Sequence, residues 1–285
     1  VVETELLLRR IEPGERGSRV DIACRAAAFR LIDTGVQIVV VQVSPDGAIA
    51  VTLSGDRVPL PPWTGTGDNV WQLPASTPVE LLGDSARRVG MPCVAFTQLG
   101  VDGDGWEVLV DLEACGTLAI DAQPSQADAV VRGLAAGLAT SLYAEVAHLV
   151  TVSMSPEVLL AHRNGHQAES IDAAFDHAAA LVGSTSMNER SSFELRSLRT
   201  GGEMWEPAVI LLTDRDSVEH AERMQLPQPG HGIALVTPVG PNDLPNAPAR
   251  LRAGSTDWTL TVAGRSIPLK PIELDQANVK TIQTL

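Results

Sequence analysis

Thr117-Leu118-Ala119-Ile120-Asp121-Ala122-Gln123-Pro124-Ser125-Gln126-Ala127-Asp128-Ala129 is the stretch on which the reading of this chain turns. The run to Ile120 is strand-like, and Val130, Leu134, Leu138 and Leu142 then recur at helical spacing, which predicts a helix over residues 126–141. A buried strand that passes straight into a helix is where a nucleotide-binding chain carries G-x-x-x-x-G-K-[ST]. There the backbone N–H groups cradle phosphate, the lysine supplies positive charge and the hydroxyl holds magnesium. Here Ala122 and Ala127 stand at the glycine positions with Ser125 between them, Asp128 stands at the lysine and Ala129 at the hydroxyl residue. A carboxylate at that point repels an anion that the helix N-terminus would otherwise attract. The stretch has the layout of a phosphate loop and none of its chemistry.

Outward from this stretch, strands and helices alternate. Residues 148–154, 208–213 and 232–237 read as apolar strands; residues 171–182, 189–199 and 217–225 read as helices between them. That alternation predicts an α/β protein with a mostly parallel sheet carrying helices on both faces. Toward the C-terminus, Leu251 and residues 258–262 read as two short antiparallel edge strands. Toward the N-terminus, residues 93–99 and 106–112 form a hairpin across Asp102-Gly103-Asp104-Gly105. Residues 36–43 and 48–53 form another across Ser44-Pro45-Asp46-Gly47. A helix is expected over residues 21–33 and a short one before Pro13. A Pro/Gly/Thr-rich stretch, residues 57–78, reads as an ordered loop or a short edge strand. A boundary near residues 90–92 then divides the chain into a small α+β module, 1–90, and the α/β domain, 91–285.

With 285 residues, 44% of them hydrophobic, the chain is long enough to bury a large core. Its formal charge of −14, with basic residues scattered among carboxylates, excludes a nucleic-acid surface driven by counterion release. Cys24, Cys93 and Cys115 form neither a C-x-x-C nor a zinc pattern, which fits a reducing cytoplasm. No apolar run has the length needed to cross a bilayer, so this piece is expected to make no membrane contact. A first residue of valine suggests a fragment of a longer polypeptide, whose remainder would hold any anchor.

From about Cys93 to the C-terminus the chain resembles the motor domain of the FtsK-like ATPases, including the type VII secretion ATPases. Leu99-Gly100, residues 102–105 and Val110-Asp111-Leu112 stand in the family's order ahead of Gly116 to Ile120, and Val209-Ile210-Leu211-Leu212-Thr213 leads into Asp214 at the Walker B position. The resemblance implies a RecA-like P-loop fold. Arg215 follows Asp214 where active members carry a catalytic glutamate, and the phosphate loop lacks its glycines, lysine and hydroxyl, so the implied activity is contradicted. Similar degenerate domains occur in large actinobacterial proteins that also carry LysM and transcriptional-activator-like modules.

Other constellations compete. Asp214-Arg215-Asp216 matches the D-x-D with which nucleotide-sugar transferases hold a divalent metal, but Asp216 also suits the cap of a helix starting at 217 or 218, and the cap is favoured. His162, His166 and His177, with Glu169 and Asp172, hold enough ligand types for a metal; Gly165 interrupts them, and a solvated loop is the favoured reading. Trp63, Trp71, Trp106, Trp205 and Trp258 are more often core or lid packing, but tryptophan is enriched at interaction hot spots, and Trp63 and Trp71, in the Pro/Gly-rich stretch, are the candidate partner contacts.

The expectation is therefore a catalytically inactive ATPase-like module that binds a protein partner or neighbouring domains of its parent chain, with no metal, no cofactor and no catalytic residue. The alternatives are a domain that binds a nucleotide or small ligand without hydrolysis through Gln123, Ser125 and the helix start near Gln126, and a metal-dependent transferase using Asp214 and Asp216.

Overall fold

A computed structural model of the chain describes residues 15–67, 69–141, 143–154, 162–183, 189–199, 205–213 and 226–275. The short helix expected before Pro13, the helix expected over 217–225, and Asp214, Arg215 and Asp216 lie outside the described residues.

The N-terminal part begins with helix α1 (Glu15–Leu31), which starts six residues earlier than the apolar spacing indicated. The first hairpin forms as expected, β1 (Ile38–Val43) against β2 (Ile49–Leu53), antiparallel. Its turn is closed by Gly47 at φ +92° and by the Ser44 hydroxyl, which accepts the Ala48 N–H at 2.7 Å. The Pro/Gly/Thr-rich stretch supplies two further strands, β3 (Thr64–Gly67) and β4 (Val70–Leu73), and helix α2 (Glu80–Arg87) follows. Arg19 of α1 holds this end together, donating to the carbonyls of Gly47, Thr77 and Pro74 at 3.0, 2.9 and 3.0 Å.

The second hairpin is β5 (Phe96–Asp102) and β6 (Glu107–Asp111). Asp102 Oδ1 accepts the N–H of Asp104 at 3.0 Å and of Trp106 at 2.9 Å, so its turn is a closed Asx turn. A single turn of helix, α3 (Leu112–Cys115), leads into β7 (Thr117–Asp121) and then α4 (Pro124–Thr140). Beyond them lie β8 (His148–Val152), β9 (Gly165–Ala168), α5 (Ile171–Val182), α6 (Ser192–Ser197), β10 (Ala208–Leu212) and β11 (Ile233–Val239). The chain closes with β12 (Ala249–Ala253), β13 (Trp258–Val262) and β14 (Arg265–Pro271).

The fourteen strands of the described residues form one mixed sheet in the order β3-β4-β2-β1-β6-β5-β14-β13-β12-β7-β11-β10-β8-β9. The expected mostly parallel sheet is corrected here. Only the run from β12 to β9 is parallel, and every pairing from β3 to β12 is antiparallel. The two hairpins expected from the sequence join edge to edge, because β6 pairs directly with β1 and extends the same sheet. The tail is corrected as well. It makes three strands, not two, and they sit in the middle of the sheet: β12 runs parallel to β7, and β14 pairs with β5. A strand edge left open on either half would present unpaired N–H and C=O groups, and this bridge removes both edges.

Burial follows the strand alternation. Val39, Val40, Val108 and Val110 share one cluster with Leu118, Ile120, Val209, Leu211 and the inner face of α4, so the antiparallel half folds over the parallel half around a common core. On the opposite face of the parallel half, α5 covers Val150, Val152, Ile210 and Leu212. A second large cluster lies under α1 and α2 and contains Trp63, Trp71, Phe96 and Phe193.

Candidate functional site

In order of appearance the parallel strands are β7, β8, β9, β10, β11 and β12, and in space β7 lies between β12 and β11 with β10 one strand further on. Ligands of open α/β sheets bind beyond the carboxyl ends of strands at such a reversal of order, which here are the ends of β7 and β11.

The connection from β7 to α4 consists of Ala122 and Gln123 alone, because the helix begins at Pro124. Proline is suited to that position, where its missing N–H would have had no helical partner. Residues 124–129 are therefore the first turns of a helix and not a loop. No residue from 117 to 140 has a positive φ, so the alternating backbone that forms an anion nest does not occur. Ala122 and Ala127 point their methyl groups into the main core, Ser125 is exposed, and Asp128 and Ala129 are half-buried. The Ala129 carbonyl accepts the Leu274 N–H at 2.9 Å. That bond belongs to a strap, residues 272–274, laid along α4 and pinned by Arg132 Nε to the Leu274 carbonyl at 2.8 Å.

The end of β7 is closed by charge. Asp121 accepts from Arg252 Nε at 2.8 Å and lies 3.9 Å from Arg250 Nη1, both arginines coming from β12. Arg250 Nη2 donates to the carbonyls of Asp243 and Leu244 at 2.6 and 2.7 Å, and Asp243 in turn accepts the Gly240 N–H at 2.6 Å. These two cations of β12 are thus engaged with the protein's own carboxylate and carbonyls.

Trp63 and Trp71 are corrected as partner contacts. They are 4% and 1% exposed, their rings lie 6.1 Å apart inside the second core, and Trp71 Nε1 donates to the Arg57 carbonyl at 2.8 Å. The Pro/Gly-rich stretch around them folds inward because its own strands, β3 and β4, extend the sheet. The expected solvated loop of histidines is corrected at His162, which is 8% exposed and accepts the Asn164 N–H on Nδ1 at 3.1 Å. His166 and His177 stack with centroids 3.9 Å apart, and among the described residues no group of three or more metal-ligating side chains converges. Burial, then the neighbouring His166 and His148, holds the His177 imidazole below its ordinary pKa. Among the described residues no helix is long and apolar enough to cross a membrane.

One cluster lies outside every sequence expectation. Asp111 and Glu113, each 1% exposed, flank Leu112 at the β6–α3 junction. Asp111 Oδ1 accepts the N–H groups of Glu113 and Ala114 at 3.0 and 3.2 Å as the cap of α3. Glu113 bonds Arg196 of α6 through Oε2, accepts the Gly232 N–H at 3.0 Å through Oε1, and its carbonyl accepts the Gly230 N–H at 2.8 Å. Arg196, whose side chain is 5% exposed, also donates to the carbonyls of Pro92 at 3.0 Å and Trp205 at 2.8 Å. Burial first, then the Glu113 charge, pushes the Asp111 carboxyl up to about 7, against the opposing pull of Arg196. Two carboxylates one residue apart after an apolar run are the signal the sequence offers, and that spacing by itself does not distinguish a buried pair from a solvated one.

No protein-family model matches the chain, and no curated protein matches it by sequence. The chain is similar to solved structures of ATPase domains from secretion and coupling proteins. The cytoplasmic domain of EssC aligns at 11% identity and a TM-score of 0.48, over 76% of this chain and 59% of that one. The pCW3 conjugation coupling protein TcpA, in a monomer form with ATPγS, aligns at 11% identity and a TM-score of 0.46, over 93% of this chain and 99% of that one. EccC from Thermomonospora curvata (ATPases 2 and 3), in complex with a signal sequence peptide, aligns at 11% identity and 0.43, over 76% of this chain and 54% of that one. The chain thus spans 59% and 54% of the EssC and EccC structures. At TM-scores below 0.5 these likenesses carry no argument about activity or partners, and the functional reading rests on this chain's own residues.

Proposed function

We propose that this chain is an ATPase-like, RecA-type domain with a degenerate phosphate loop, a pseudo-ATPase that serves as a protein-interaction or regulatory scaffold for a partner or for neighbouring domains of a longer parent. The observation that carries this reading is the two-residue connection from β7 to α4. A triphosphate cradle needs several non-helical residues with their N–H groups turned inward and a cation at the helix start. Here that segment is helical, begins with proline and carries Asp128. The neighbouring arginines are engaged with Asp121. In this reading residues 1–90 are a module built onto the 91–285 domain, Asp214 is a relic of the acidic strand end, the domain works in the cytoplasm, and the parent belongs with the actinobacterial LysM-bearing multidomain proteins. The net charge of −14 argues against nucleic acid as the partner.

A second reading has support of its own. Gln123, Pro124, Ser125 and Gln126 are all exposed, and Gln123 makes no side-chain cap bond, so the start of α4 offers free polar groups to a small ligand. With Asp121 and Asp128 close by in sequence, that ligand is uncharged rather than anionic.

A thermal-shift titration with ATP and magnesium, alongside neutral nucleosides and a hydrolysis assay, separates these readings. The scaffold reading expects no shift and no turnover, and a saturable shift with a nucleoside alone selects the second. ATP hydrolysis that disappears on Asp214→Ala overturns both.

A further inference from the structure

The Asp111–Glu113–Arg196 cluster holds two carboxyl groups against one guanidinium, all three almost fully excluded from water. Burying an uncompensated charge is costly, and such a site sheds the cost by taking up a proton. Both side-chain oxygens of Glu113 are engaged: one is bonded to Arg196 and the other accepts the Gly232 N–H. Asp111 has no cationic partner within bonding distance among the described residues: Oδ1 caps α3, and its remaining neighbour is the Cys93 thiol.

We propose that Asp111 is a proton-operated switch in a clamp that joins α3, α6, the segment around Pro92 and the start of β11, closed when the carboxyl is neutral and loosened when it ionises. The clamp is concrete. Arg196 ties α6 to the Pro92 carbonyl, and Glu113 ties α3 to the backbone of Gly230 and Gly232, where the chain enters β11. A second negative charge placed two residues from Glu113 competes with it for Arg196 and weakens both ties. The titratable and charged groups facing Asp111 are Glu113 and Cys115 from α3, Arg196 from α6 and Cys93 from the segment before β5; Cys24 of α1 stands beyond Cys93. The thiols of Cys93 and Cys115 are raised by burial, so they stay neutral and leave the carboxyl as the group that titrates.

The folded chain holds this proton up to about pH 7, whereas an unfolded aspartate releases it near 3.8. Stability is therefore full below the lower value, falls as pH rises through that window, and levels above it. The experiment is thermal unfolding of the intact protein from pH 5 to 9, with Asp111→Asn beside it, plus amide exchange at Gly230 and Gly232. Asparagine keeps the cap acceptor and cannot ionise. The expected result is a wild-type midpoint that drops from pH 5 to about 7 and then levels, with faster exchange at those amides, and a variant that is flatter and more stable than wild type at high pH. A wild-type profile without the drop, or a drop that persists in Asp111→Asn, overturns the switch. If the variant fails to fold, the carbon-13 titration of the Asp111 carboxyl in the wild-type protein decides. A midpoint above about 6 supports the switch, and one below it refutes it.

Discussion

Replacing Gly133 with alanine tests whether the C-terminal strap is seated on α4. In an exposed helix this change adds about 1 kcal/mol of stability, since alanine loses less backbone entropy. At Gly133, however, the new Cβ would stand 2.2 Å from the Ile272 carbonyl oxygen, a backbone atom that no side-chain rotation can move aside. The strap must shift or lift. Overpacking of this kind costs about 1–3 kcal/mol. Full release would in addition forfeit the bonds Ile272 N–H to Leu99 O at 2.9 Å, Leu274 N–H to Ala129 O at 2.9 Å and Arg132 Nε to Leu274 O at 2.8 Å, about 1 kcal/mol each. It would also expose Leu274, which is 1% exposed and worth about 2 kcal/mol. For a strap that shifts without releasing, the helix-propensity gain offsets part of the overpacking cost. A net loss of about 1–2 kcal/mol is then expected, and release would enlarge it. Urea unfolding measures it, and faster exchange of the Leu274 amide locates it. Gly137→Ala is the matched control. Its Cβ would meet the Thr97 hydroxyl at 2.5 Å, a side-chain atom and not backbone, so it is expected to cost less than Gly133→Ala without displacing the strap. A Gly133→Ala protein that gains the full ~1 kcal/mol of helix propensity would mean that the strap is not where its hydrogen bonds place it.

Two further outcomes rest on the packing. Trp71→Ala is expected to cost about 3–5 kcal/mol in urea unfolding, because the indole is a fully enclosed core side chain; a variant of unchanged stability that has lost a binding partner would restore the surface role. Residues 91–285 expressed alone would leave β6 without β1 and strip α1 from Phe96, Leu109 and Phe193, so aggregation or non-cooperative melting is expected, and a monomeric fragment with a sharp transition would contradict the shared core.

Much of the local structure is legible in the residues. The Ser44–Gly47 and Asp102–Gly105 turns form where their chemistry allows few alternatives, and β1 and β10 arise from runs of Val, Ile and Leu. The strand-to-helix junction on which the proposed reading rests is legible as a position, and Asp128 and Ala129 are read directly from the sequence. That α4 begins at Pro124 and absorbs the loop is not legible, because the apolar stripe marks where a helix packs, not where its first turn is satisfied.

What the sequence by itself determined is the set of short-range preferences, namely turn chemistry, strand-forming runs and helical spacing. What only the tertiary structure decided is which strands become neighbours and which side chains leave water. The tail became the bridge between two halves of the sheet because β7 and β5 each had an edge to pair, a condition fixed by strands far away in the chain. Trp63 and Trp71 went inside, and Asp111 met Glu113 and Arg196 without water, for the same reason. Hydrogen-bond ladders and burial are settled between residues distant in sequence, and no local window contains both partners.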